Sequence, residues 1–163
     1  MDSKIETHSV EYTTFVATTI DQLWHALLHP GMTTLWWHTT LQSDWNIGST
    51  VIWSRHGMLI SDPDQVVLDC QPFTHLSYTW QSYPLEFVAV MDLGDAFFEA
   101  VRNEPRSFVS YTLTAVDDGI VKLSFKHAGF VPNSPILERV RDRWPRNLSS
   151  LKTLLETGRP LPG

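Results

Sequence analysis

What most constrains the fold of this chain is a change in its hydrophobic period. Through the middle, Val51 and Trp53 lead to Arg55 at every second position, as do Leu76, Tyr78 and Trp80, then Val109, Tyr111 and Leu113. Val121, Leu123, Phe125 and His127 repeat the pattern. A strand turns successive side chains to opposite faces, so these runs describe antiparallel strands with one apolar and one wet face. From Ile136 the period becomes three or four, through Val140, Trp144, Leu148, Leu151 and Leu155, the repeat of a helix with one apolar stripe. Sheet and helix each have one apolar surface to cover, and packing them together covers both. The expected class is α+β: a curved antiparallel sheet of six to seven strands wrapped around a long C-terminal helix.

Local signals punctuate this frame. Residues 9–18 are rich in β-branched and aromatic types and read as a first strand. Thr19 and Gln22 have capping-box spacing ahead of the stripe Ile20, Leu23, Trp24, Leu27 and Leu28, which Pro30 and Gly31 stop. A second short helix is expected over 31–37. Asn46-Ile47-Gly48 is a turn, Asp62-Pro63-Asp64 predicts a hairpin, and Val66, Leu68 and Cys70 share a face of the strand after it, which Pro72 ends. Asp117-Asp118-Gly119 between two alternating runs is the strongest hairpin signal. Ser134-Pro135 opens the last helix and Gly158 closes it. Pro145 predicts a kink or break between Arg141 and Pro145, leaving 145–157 as the long unbroken piece. No repeat or composition shift divides the chain, so a single domain is expected over 1–163.

Charge and composition exclude several functions. A net charge of −6 does not provide the positive field that nucleic acid or an anionic lipid surface requires. No nucleic-acid partner and no membrane insertion are expected. The polar start, Met1 to Val10, lacks the apolar core of a secretory signal, so a cytoplasmic location is the expectation. The single cysteine, Cys70, excludes an internal disulfide and reads as a small buried residue. His25 and His29 stand at the i, i+4 spacing of a metal pair, but no glutamate lies between them and no third ligand follows. Neither a Gly-x-Ser-x-Gly elbow nor a phosphate-cradling glycine loop occurs. No metal and no cofactor are expected.

Several segments together resemble a known family. They are Phe15-Val16-Ala17-Thr18-Thr19 with Leu23-Trp24 and Leu27 after it, and Ser43-Asp44-Trp45-Asn46-Ile47-Gly48-Ser49. The third is Trp144-Pro145 followed by the run Leu148 to Leu161, LSSLKTLLETGRPL. They resemble the bacterial "activator of Hsp90 ATPase homologue 1-like" family of the START-like superfamily. The resemblance implies a helix-grip fold similar to the birch-pollen allergen, often with a cavity between sheet and helix. Relatives across that superfamily bind lipids, sterols and plant hormones, and some are polyketide cyclases or hydroxylase components, so the fold alone does not fix the function. A true Hsp90 activator carries a second, N-terminal domain that 163 residues do not accommodate, which lowers the expectation of a chaperone-activating role.

The alternation points Trp53, Tyr78, Trp80 and Tyr111 toward the helix, with Arg55 and His127 at their strand ends and Trp144 facing them. These seven are the candidate cavity wall. An apolar pocket with a few converging polar groups is how small-molecule sites are usually built. Arg55 can hold an acidic head group, and His127 can donate to a carbonyl or shuttle a proton. The competing arrangement has the rings filling the space themselves and Arg55 reaching water. Between Tyr83 and Arg106 runs a longer, more apolar connection than the family leads one to expect. Asp95 can cap a helix there through Arg102. Phe97 and Phe98 are candidates for a lid, and the alternative is a packed edge or a homodimer contact. Arg139, Arg141, Arg143 and Arg146 cluster on the last helix beside Glu138 and Asp142 and read as a solvated face. The expected function is binding of a small apolar or amphipathic molecule. A cyclase- or hydrolase-type enzyme in the same cavity and a chaperone-associated or other protein-interaction module are the alternatives.

Overall fold

The computed structural model describes residues 8–163; the first seven residues of the expected domain lie outside them. Eight strands and five helices follow in order. They are β1 (His8–Ala17), α1 (Ile20–Leu28), α2 (Pro30–Trp37), β2 (Thr39–Gln42), β3 (Ile52–Arg55), β4 (Met58–Ile60) and β5 (Val67–Gln71). Then come β6 (His75–Thr79), α3 (Leu85–Val90), α4 (Asp95–Val101), β7 (Phe108–Asp117), β8 (Ile120–Phe130) and α5 (Pro135–Thr157). The strands form an antiparallel five-stranded sheet in the order β1-β8-β7-β6-β5 and a three-stranded sheet β2-β3-β4. Backbone bonds from Val51 N to Gln65 O (2.7 Å) and Val67 N to Ser49 O (2.9 Å) tie the edge of the first sheet to the start of the second. This is the helix-grip, START-like fold, with its curved surface assembled from two sheets.

The helices begin and end where their capping chemistry places them. Thr19 Oγ1 accepts from Gln22 N at 3.2 Å, while the Gln22 side chain takes the Thr18 hydroxyl at 3.0 Å rather than closing the box on Thr19. Pro30 opens α2 directly after His29, so one residue separates the two helices. Ser134 Oγ accepts from Leu137 N, and Gly158 ends α5 at φ +85°, a left-handed conformation that needs no Cβ. The α5 stripe Ile136, Val140, Trp144, Leu148 and Leu151 is buried and continues through Leu154, with Leu155 only half-buried. Trp144 lies against Phe125 of β8 with ring centroids 4.2 Å apart, which places the stripe on the sheet.

Three local expectations are corrected. Asp62-Pro63-Asp64 does form a turn, with Gln65 N bonded to Asp62 O at 3.0 Å, but it carries the chain between sheets. The hairpin lies earlier, at His56-Gly57, where Arg55 pairs with Met58 and both loop residues have positive φ, 49° and 78°. That conformation suits the twist of a two-residue hairpin, and histidine is a poor advertisement for it. In β5 a bulge between Val67 and Asp69 shifts the alternation, so Val67 is buried, Leu68 exposed and Cys70 only half-buried. Finally, α5 continues through Pro145 as one helix. Buried Trp144 and Leu148 anchor it on both sides of the proline, and the carbonyl left without a donor belongs to exposed Arg141, within reach of water.

Candidate functional site

The aromatic residues expected to line a cavity meet one another instead. Trp53 stands 4.9 Å from Trp80 and 5.9 Å from Tyr78, and Trp80 stands 5.7 Å from Trp144, all between ring centroids. Trp37, from the end of α2, joins them at 5.4 Å from Trp53 and 5.3 Å from Trp144. Tyr111 completes the layer at 5.1 Å from Phe125, and its hydroxyl and that of Tyr78 lie 3.5 Å apart. Burial raises the pKa of both phenols, so they stay neutral. These rings fill the space between sheet and α5.

His127 is sealed inside this layer. It is fully buried, with Trp80 and Phe130 at 4.6 and 4.5 Å between ring centroids. Its Nδ1 accepts from Trp144 Nε1 at 3.0 Å, so the ring proton sits on Nε2 and is donated to Ser107 Oγ at 2.9 Å. Burial alone lowers its pKa to about 3. The imidazole is therefore neutral and occupied at both nitrogens, a structural joint between β8 and α5.

Open space begins on the other side of Trp80. A cleft of about 380 Å³ is lined by Trp80, Val101 and Ile136, by the polar Gln81, Ser82 and Ser107, and by the charged Asp62, Arg102, Glu104 and Arg106. The volume falls within the roughly 300–1,000 Å³ of small-molecule sites. Ser82 in its lining is held by a fully buried glutamine that sequence patterning did not single out. Gln65 donates to the carbonyls of Val51 and Ile60, both at 3.0 Å, and accepts from Ser82 N at 2.8 Å. At the rim, Arg106 pairs with Asp62 at 3.1 Å and donates to Trp80 O at 3.3 Å. Trp80 Nε1 donates to the Tyr83 hydroxyl at 2.9 Å.

The connection between Tyr83 and Arg106 folds into two short helices over this region. Only α4 was foreseen, and its cap is Gly94, with Asp95 the first helical residue. Phe87, Val88 and Val101 are buried, and Phe97 packs edge-on to Tyr83 at 5.3 Å. Phe98, half-buried like Phe97, has the Arg102 guanidinium 5.5 Å above its ring. The two lid candidates thus face different surroundings.

Arg55 sits at the end of β3, half-buried, with its guanidinium 5.8 Å above the Phe87 ring. Its Nη1 donates to Gln81 Oε1 at 3.1 Å. Desolvation lowers its pKa to about 10, and the positive charges of Arg139 and Arg143 add to that effect against an opposing contribution from Tyr83. The solvated face expected on α5 holds for Arg141, Arg143 and Arg146, which are exposed, while Arg139 is half-buried. Arg141 pairs with Glu138 at 3.1 Å, and the charges of Arg139 and Arg143 bear on Arg55. Their i, i+4 spacing was visible in the sequence, but their electrostatic relation to Arg55 depends on tertiary packing.

The remaining candidates have local roles. His25 and His29 stack at 4.5 Å on the exposed side of α1, and His29 Nδ1 accepts from Gly31 N at 3.1 Å as the cap of α2. A broader, open groove of about 620 Å³ runs past them between Trp24, Trp45 and Phe73. His75 pairs with Asp69 at 2.7 Å on the edge of the five-stranded sheet. Among the described residues, no helix is long and apolar enough to cross a membrane.

The family described as "Activator of Hsp90 ATPase homolog 1-like protein" matches residues 17–156. No curated protein matches the sequence. Among solved structures, a protein from Mesorhizobium loti is 24% identical, with a TM-score of 0.69 over 91% of this chain and 96% of its own. The Aha1 dimer from Colwellia psychrerythraea is 17% identical, with a TM-score of 0.64 over 93% of this chain and 98% of its own. A protein of the dynemicin biosynthetic locus is 19% identical, with a TM-score of 0.65 over 93% of this chain and 48% of its own. At these identities the likeness is one of fold.

Proposed function

This chain belongs to the activator of Hsp90 ATPase homolog 1-like family, and on that premise we propose that it binds a small apolar or amphipathic molecule in the cleft beside Trp80. The observation that carries the reading is the composition of that cleft: Trp80, Val101 and Ile136 set among polar and charged residues, in a volume of about 380 Å³. Trp80 is the contact surface. Trp53, Tyr78, Tyr111, His127 and Trp144 stand behind it as a rigid backing that fixes its plane, and Arg55 marks the polar end through Gln81. The α4 helix reaches the cleft through Val101 and Arg102, with Phe97 packed on Tyr83 beside it, so a tilt of this short helix would open or close access. Occurrence of the same fold in a protein of a biosynthetic locus is consistent with a small-molecule ligand.

Catalysis through His127 draws no support from its surroundings, because both ring nitrogens are already engaged by Ser107 and Trp144. A homodimer is a second reading. It rests on the dimeric relative and on Leu85 and Val90, which lie 52% and 57% exposed on α3.

Native mass spectrometry of freshly purified protein, compared with the denatured mass, tests the proposal. A reproducible extra mass released on denaturation is the expected result. A bare native mass, unchanged after incubation with medium-chain acids and alcohols, would overturn it.

A further inference from the structure

Arg55 carries its charge within electrostatic range of two further arginines. Arg55 comes from the end of β3, and Arg139 and Arg143 from successive turns of α5. Among the described residues none of them forms an ion pair; Glu138, beside them in sequence, is held by Arg141. Asp142, which lines a neighbouring cleft with Arg143, is the acidic residue beside them that no basic side chain among the described residues holds within ion-pair distance. Arg55 and Arg139 are half-buried and Arg143 is exposed, and like charges held partly out of water are costly unless something compensates them.

Hydrogen bonding at the same place is unbalanced in the complementary sense. Gln81, only 2% exposed, gives its Oε1 to Arg55 and is left with a buried Nε2 that has no acceptor. Arg55 Nε is likewise shielded and unpartnered, as is Trp53 Nε1 two residues back along the same face of β3. These three buried polar atoms are all donors. A surplus of donors beside a surplus of positive charge calls for a group with several acceptor oxygens and negative charge. Guanidinium groups match carboxylate and phosphate oxygens in geometry as well as charge.

We infer that Arg55, Arg139 and Arg143, with the Gln81 amide, form a subsite for the acidic head group of the bound molecule, a carboxylate or a phosphate. The inference rests on the binding reading above for the apolar part of the ligand and names its class, an amphipathic acid. Gln81 joins the two regions: its side chain meets Arg55, and the residue also lines the cleft beside Trp80. The Phe87 ring under the guanidinium holds Arg55 in place through cation–π attraction.

Thermal unfolding in sodium phosphate, set against sodium chloride of the same ionic strength, reads the subsite without requiring an apolar tail. Phosphate at ten times its dissociation constant should raise the midpoint by about 3–5 °C. The rise should disappear in Arg55→Gln and in the double variant Arg139→Gln/Arg143→Gln, whose side chains are more exposed and whose fold is less at risk. Equal midpoints in the two salts, or a phosphate response unchanged in the double variant, would overturn the subsite. Decanoate and decyl phosphate then separate the two acid classes, and decanol, which has no charge, reports the cleft alone. Decanol binding without a phosphate response would overturn the subsite and leave the cleft. A phosphate response without decanol binding would do the reverse.

Discussion

At the scale of single residues, the joint between His127 and Trp144 combines burial with a fixed tautomer. Its consequence is a pH dependence whose sign is set by the depressed pKa. The stabilising effect of a neutral His127 is fully present above the ordinary histidine pKa of about 6.5 and is lost as pH falls toward the folded value of about 3. Between pH 6 and 4.5 this group should lower the unfolding free energy by about 1.4 kcal/mol per pH unit. His127→Gln should show a slope shallower by that amount in urea titrations across this window. Equal slopes in the two proteins would show that His127 already carries its proton in the folded state. The carboxyls of Asp62 and Glu156, held below their usual range by hydrogen bonds from backbone and basic side chains, add their own losses at lower pH. Trp53, Trp80, Tyr111 and Trp144 were readable as one facing set because alternation and helical period report direction. That they would touch, rather than leave a space, was not readable, since ring packing depends on distances between elements. Gln81 was missed for a related reason: a polar residue just past a strand carries no periodic signal.

At the scale of elements, α5 shows tertiary packing overriding a local rule. A proline inside a helix costs about 3 kcal/mol relative to alanine, yet α5 runs unbroken from Pro135 to Thr157. Pro145→Ala should therefore raise stability by about 1–3 kcal/mol, seen as a higher urea midpoint, because it restores a donor for the Arg141 carbonyl. A lower midpoint would mean that contacts of the pyrrolidine ring outweigh the missing bond. The caps at Thr19, Ser134 and Gly158 were legible because each is a chemical group at a fixed offset from a hydrophobic run. The hairpin at His56-Gly57 was obscured by an atypical turn residue, and α3 by its shortness, since six residues do not establish a helical period.

For the whole molecule, the decisive feature is the division between a filled interior and an open flank. Seven tryptophans in 163 residues are consistent with either a lined cavity or a packed centre. The structure packs the centre and leaves space beside Trp80, under a connection whose length the sequence had already marked as unusual. Ligand binding would then use the edge of the aromatic layer, with acidic groups drawn to Arg55 and the arginines of α5. The most direct test is an NMR titration of isotope-labelled protein with decanoate, following backbone amides together with the Arg55, Gln81 and tryptophan side-chain signals. The account predicts saturable shifts concentrated at Gln81–Pro84, at Val101–Ser107 and at the Arg55 guanidinium. Shifts confined to the groove between Trp24, Trp45 and Phe73, or no saturable shifts at all, would contradict it.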